Sequence, residues 1–185
     1  HQILEKNYGT KGGFIDNLVI RSHGSEIDGH SGMLLDREIV DDPNKADKGN
    51  ADALKYIRGL TSDKANILLT ACGACRREDS GLKLGKFFVG TSNRTLFTNN
   101  TNSSARTQPD ANGNKAKDDP HWFRFDQFLV ENPTFAGFKK WSYSPMLKKI
   151  TSDKVFYDVK VNSQTGTFET KTLNIPFMIN TKPVN

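Results

Sequence analysis

A chain of 185 residues with 26 Lys and Arg against 21 Asp and Glu, two cysteines and 35% hydrophobic residues suits one domain, residues 1–185, with a full core. Two cysteines are too few for a disulfide-stapled mini-protein. No apolar run approaches the ~20 residues that span a bilayer, and no basic start leads into an apolar stretch as in a signal peptide. The net charge of +5 is mixed along the chain, its clearest clusters being the pairs Arg76-Arg77, Lys139-Lys140 and Lys148-Lys149. Such dispersed charge argues against a nucleic-acid partner, which needs a stripe or patch, and nothing calls for a membrane. The chain opens on His1 rather than Met and reads as a fragment or processed form, a piece of a larger polypeptide. The compartment stays open between secreted and cytoplasmic.

In chain order, residues 14–20 (FIDNLVI) read as a buried strand after Gly13. A Gly-rich stretch with Gly24, Gly29 and Gly32 follows, then a short hairpin strand over residues 33–35. Residues 41–50 are charged, contain Pro43 and read as a loop. Residues 51–60 carry Ala53, Leu54, Ile57 and Leu60 at helical spacing, with Asn50 as the N-cap. Residues 67–71 form a second buried strand. Residues 80–86 begin a helix that runs into Phe87-Phe88-Val89 as a third strand. Alternating strands and helices predict an α/β fold: a mostly parallel sheet flanked by helices. Residues 98–119 are nearly devoid of apolar side chains and read as a long mobile surface loop. Asn-x-Ser/Thr triplets at Asn93, Asn99 and Asn102 read as chance matches in this Asn/Thr-rich region. Residues 121–128 (HWFRFDQF) alternate in part. Residues 154–161 and 167–175 flank a short loop containing Gly166, which predicts a C-terminal β-hairpin.

Two segments carry the chemistry. One is the apolar strand that ends in Ser22-His23-Gly24. The other is the apolar strand that ends in Ala71-Cys72-Gly73. Ligands of parallel α/β sheets bind beyond the carboxyl ends of the strands. If the two strands are parallel members of one sheet, His23 and Cys72 emerge at the same edge, a base beside a nucleophile. A free thiol, pKa near 8.5, is mostly protonated at neutral pH, and an adjacent imidazole accepts that proton or stabilises the thiolate. The glycines after each residue allow close approach of a substrate backbone. The N–H groups of Gly24 and Cys72 are candidate oxyanion donors.

A His-Gly and an Ala-Cys at the ends of apolar strands, 49 residues apart, resemble the caspase–gingipain–legumain clan of cysteine peptidases, where a His about 50 residues upstream of the Cys is known for caspases. The resemblance spans residues 14–90 and is nearest to bacterial gingipain-, clostripain- or CHAT-type members, because Thr70 and Gly73 stand where caspases carry Gln and Arg. It implies a caspase-like fold, Cys72 as nucleophile, His23 as general base and acid, a protein or peptide substrate, and no cofactor or metal. Bacterial relatives often cleave after Arg or Lys, which needs an acid in the specificity pocket; Asp28, Asp36, Glu78 and Asp79 are the candidates. Clan members commonly cleave an internal loop, for which Arg106, Lys115 and Lys117 offer targets here.

Cys75 opens a rival reading. Cys72-Gly73-Ala74-Cys75 is a C-x-x-C between a strand and a helix, as in thioredoxin-like redox proteins, and residues 132–135 (NPTF) are similar to the proline turn of that fold. Against it, no Trp precedes Cys72, Pro133 lies 61 residues beyond it, and the Ser22-His23-Gly24 segment is left unexplained. A third reading is a catalytically inactive caspase-like binding module. His1, His23, His30 and His121 show no zinc-ligand spacing with the cysteines. His30, in a Gly/Ser stretch, ranks behind His23 as the base.

Overall fold

A computed structural model describes residues 13–27, 30–71, 78–99, 102–107, 122–128, 138–162 and 165–173; for 25–27, 30–31, 102–107, 122–128 and 173 it describes the backbone alone. The described residues form a mixed α/β structure with two helices. The strands are β1 (Ile15–Arg21), β2 (His23–Ile27), β3 (His30–Leu35), β4 (Glu38–Val40), β5 (Thr61–Thr70), β6 (Thr95–Thr98), β7 (Asn102–Thr107), β8 (Trp122–Phe128), β9 (Phe138–Ser144), β10 (Lys149–Asn162) and β11 (Phe168–Leu173). The helices are α1 (Lys48–Leu60) and α2 (Glu78–Phe88).

The principal sheet runs β1-β5-β6-β9-β10-β8-β7, with β11 also on β10. Parallel pairing holds only for β1 with β5 and β5 with β6; every other pair in the sheet is antiparallel. The mostly parallel sheet of the sequence reading is therefore a mixed one. A helix separates β5 from β6, the kind of crossover that parallel neighbours require, whereas a short turn at residues 145–148 joins β9 to β10 and reverses the chain. Lys148 sits in that turn with φ 49°. Residues 156–157 of β10 pair with both β9 and β11, and residues 160–161 with both β8 and β11. Thus β9 and β8 follow one another along one edge of β10, and β11 occupies the other.

The faces of the sheet are covered differently. Ile67 and Leu69 of β5 and Leu96 of β6 share one core with Leu54 of α1 and with Leu84, Phe87 and Phe88 of α2. Leu68 and Phe97 point the other way and pack with Phe138, Val159 and Phe168. Both described helices thus lie on one face, and the far end of the same sheet curls over to cover the other. Asn17 of β1 fastens this curl: its side-chain N–H donates to the carbonyl of Gly166 at 2.9 Å, and its Oδ1 accepts from Asn66 at 3.0 Å. The expected arrangement, helices flanking the sheet, is replaced for these two helices by helices on one side and β10–β11 on the other. The alternating apolar side chains of β10 supply the cover that a helix would otherwise provide.

Two local assignments change for identifiable reasons. Asp47, not Asn50, is the N-cap of α1, and it makes no side-chain cap hydrogen bond. Glu38 takes that role from outside the helix: its carboxylate accepts the Asp47 N–H at 3.0 Å and the Asn50 side-chain N–H at 2.8 Å. A negative group here also complements the positive end of the helix dipole. At the other end, the carbonyls of Gly59 and Leu60 accept from the N–H groups of Gly13 and Phe14, so the last turn is satisfied by the entry to β1. Phe87-Phe88-Val89 closes α2 and its following turn rather than forming a strand. Ser80, Gly81, Leu84, Gly85, Phe87 and Phe88 make one continuous buried stripe at helical spacing, and the third parallel strand is β6.

The Gly-rich stretch after His23 also differs from expectation. β2, β3 and β4 form a separate three-stranded antiparallel meander. Gly32 is required there, because a Cβ would sit 2.5 Å from the Val40 carbonyl oxygen. Met33 and Val40 bury this meander in the helix-side core, and Lys83 of α2 ties it down with a 2.8 Å ion pair to Asp41. That hydrogen bond holds the Lys83 amine above its ordinary pKa, against the opposing effect of partial burial. Of the loop expected at residues 98–119, residues 102–107 are strand β7, paired with β8; residues 108–121 lie outside the described part.

Candidate functional site

Chain geometry brings the two predicted segments together. β1 and β5 are adjacent and parallel, in continuous register from Asn17↔Asn66 to Arg21↔Thr70. Their carboxyl ends therefore share one sheet edge. The pairing offset is 49 residues, the same number that separates His23 from Cys72. At Ser22 the chain leaves the principal sheet and enters β2 with His23, which pairs with Leu34 of β3 and is exposed. Gly24 follows inside the meander, opposite Met33. Cys72 and Cys75 lie outside the described residues, as do Asp28 and residues 132–135, and the side chain of His30 is not described.

The predicted acids are dispersed. Asp36 occupies the exposed β3–β4 turn with φ 52°, a left-handed conformation that Asp tolerates better than most residues. Its position answers to the turn, two residues beyond the partner of His23. Glu78 and Asp79 open α2, where carboxylates complement the helix dipole. Asp79 stands 4.0 Å from Lys83 one turn on. Glu78 reaches across to Lys139 of β9 at 3.3 Å and lines a cavity of about 410 Å³ together with Lys139, Asp153 and Phe156. Glu78 is thus a candidate acid that lines a cavity. Arg106, expected as a cleavage target in a loop, is instead in β7, opposite Arg124 of β8.

Sequence reasoning missed Asp153. A register shift between Ser152 and Phe156 leaves two extra residues in β10 against β9, and such a bulge re-aims side chains. Asp153 accepts a very short hydrogen bond from the Tyr157 hydroxyl and pairs with Lys140 at 3.6 Å. Asn99 was also missed. It was read only as part of a glycosylation triplet, yet it is fully buried at the end of β6, where its Oδ1 accepts the Ala71 N–H at 3.1 Å. Burial of this amide leaves no room for a glycan. Its neighbour Thr98, also fully buried, accepts from the Trp141 indole N–H at 2.9 Å.

Among the described residues no group of three or more His, Cys, Asp and Glu is placed to hold a metal ion, and no helix is long and apolar enough to cross a membrane. No protein-family model, no curated protein and no solved structure matches the chain at a significant level.

Proposed function

We propose that this chain is a cysteine endopeptidase of caspase-like arrangement that uses Cys72 as nucleophile and His23 as its base. The observation that carries the reading is the parallel β1–β5 register, whose offset equals the separation of the two residues. In the proposed reaction the imidazole of His23 takes the thiol proton of Cys72, and the sulfur attacks the carbonyl carbon of the scissile peptide. The resulting oxyanion is held by main-chain N–H groups, for which those of Cys72 and Gly24 are the candidates. Collapse breaks the C–N bond while the imidazolium returns its proton to the leaving amine. Water, deprotonated by His23, then hydrolyses the thioester and frees the thiol. The cavity beside Glu78 and Asp153 suits a long basic side chain on the substrate, whose cation would exchange with Lys139 for the Glu78 carboxylate.

The test compares Cys72→Ala, His23→Ala, Cys75→Ala and Glu78→Gln on peptides with Arg, Lys, Asp, Asn or Leu at the cleaved position. Cys72→Ala and His23→Ala should abolish turnover, and Cys75→Ala should leave it intact. Glu78→Gln should raise KM for Arg and Lys peptides about tenfold, the worth of a hydrogen bond to a charged group. Loss of activity on Cys75→Ala alone would overturn the dyad.

A further inference from the structure

We propose that Asn99 is a positioning residue for Cys72, an inference that rests on the peptidase reading. A buried amide side chain is costly unless its hydrogen bonds are made, and Asn99 is 0% exposed. The partner it finds is not incidental. Its Oδ1 receives the N–H of Ala71, itself fully buried, 28 residues away in sequence. Ala71 is the residue directly before Cys72, so the hydrogen bond anchors the backbone from which the Ala71–Cys72 peptide departs. That peptide carries the Cys72 N–H, the candidate oxyanion donor. Among the described residues the buried Thr70 hydroxyl has no hydrogen-bond partner; the β1–β5 register ends at Arg21↔Thr70 and the β5–β6 register at Leu69↔Thr98, so Ala71 lies past both. One side chain, delivered by the neighbouring strand, therefore carries the fixed geometry past the end of the sheet. Thr98, one residue earlier, makes an equally buried hydrogen bond, but toward Trp141 on the helix side, and serves as the structural comparison.

Three variants test this: Asn99→Ala, Asn99→Asp and, as the comparison, Thr98→Val. Each is measured by kcat and KM on the best peptide substrate, and by the pH dependence of Cys72 alkylation with iodoacetamide, followed by mass spectrometry. Asn99→Ala should lower kcat about 10- to 100-fold with little change in KM, the cost of a small misplacement of a reacting group, and should lower the plateau alkylation rate. Asn99→Asp keeps an acceptor for Ala71 but adds a negative charge, so it should retain the plateau and move the alkylation midpoint to higher pH. Thr98→Val should lower Tm and leave the alkylation profile of Cys72 unchanged. Wild-type plateau in Asn99→Ala with wild-type midpoint in Asn99→Asp would overturn the proposal. If Asn99→Ala does not fold, the Asn99→Asp midpoint decides alone. Because alkylation needs no turnover, altered profiles in a protein that cleaves no peptide would sustain the positioning role and reject the peptidase reading.

Discussion

Burial and the Asp153 carboxylate both favour the neutral phenol of Tyr157 and push its pKa up to about 12, burial contributing more. An unfolded tyrosine titrates near 10. The folded state therefore holds its proton where the unfolded state has lost it, and the associated stability is complete below pH 10 and is lost as pH rises toward 12. Urea unfolding at pH 9 and pH 11.5 should show a larger loss of stability for the wild type than for Tyr157→Phe, which cannot ionise; equal losses would refute the coupling. Tyr157, Asp153, Lys140 and Glu78 illustrate which parts of a site are legible in sequence. Glu78 is readable as an acid at a helix start. Asp153 is not, because its relation to Glu78 depends on a two-residue bulge in β10, and nothing in the residues 152–156 announces that slip. Asn99 was equally hidden, since an amide in an Asn/Thr-rich run looks solvated until β6 is seen to end beneath it. His23 and Cys72 were visible because each ends an apolar run, and the run alone implies a strand.

At the scale of elements, α2 is shaped by what cannot be added to it. A Cβ at Gly81 would overlap the Trp141 ring, and one at Gly85 would press on the Ile150 Cγ2 at 3.0 Å. These glycines let the helix lie close against β9 and β10, and they are why the stretch did not look like a strong helix. Periodicity there is carried by small residues as much as by Leu84, Phe87 and Phe88, so a run of three bulky apolar residues was mistaken for a strand. The same replacement separates packing from propensity. Gly59 in α1 has open space around its Cβ position, so Gly59→Ala should gain up to about 1 kcal/mol from helix propensity. Gly81→Ala gains the same increment but must move an indole ring in a buried layer, at a cost of about 1–3 kcal/mol or more. Chemical denaturation should therefore show the two substitutions moving stability in opposite directions; a stabilised Gly81→Ala would show that α2 does not need its close approach to Trp141.

Across the whole molecule, the sheet serves both as scaffold and as its own cover. Three parallel strands, ordered by α1 and α2, set the strand ends where the candidate dyad begins, and this half was largely legible because strand and helix alternate there. In the antiparallel half the sequence reads as a hairpin over residues 154–161 and 167–175 and as partial alternation over residues 121–128, while residues 102–107 read as loop and residues 138–144 as no element. The path of this half back over Leu68 and Phe97 depends on contacts between residues such as Phe97 and Phe168, which are far apart in sequence and carry no local signal. Phe97 lies at the centre of this closure, edge-on to Tyr157 with ring centroids 5.7 Å apart and 5.5 Å from Phe168. Removing its ring should cost about 3–5 kcal/mol, as for other buried aromatic truncations. The loss should be unevenly spread, because the helix-side core is built from the opposite face of the same strands. In hydrogen exchange under native conditions, Phe97→Ala should speed the amides of β10 and β11 well before those of α1 and α2, as expected when one cooperative unit opens ahead of another. Uniform acceleration across both faces would mean that the curl and the helix-covered layer form a single cooperative unit, and that the strand ends beside His23 depend on β11 as much as on the helices.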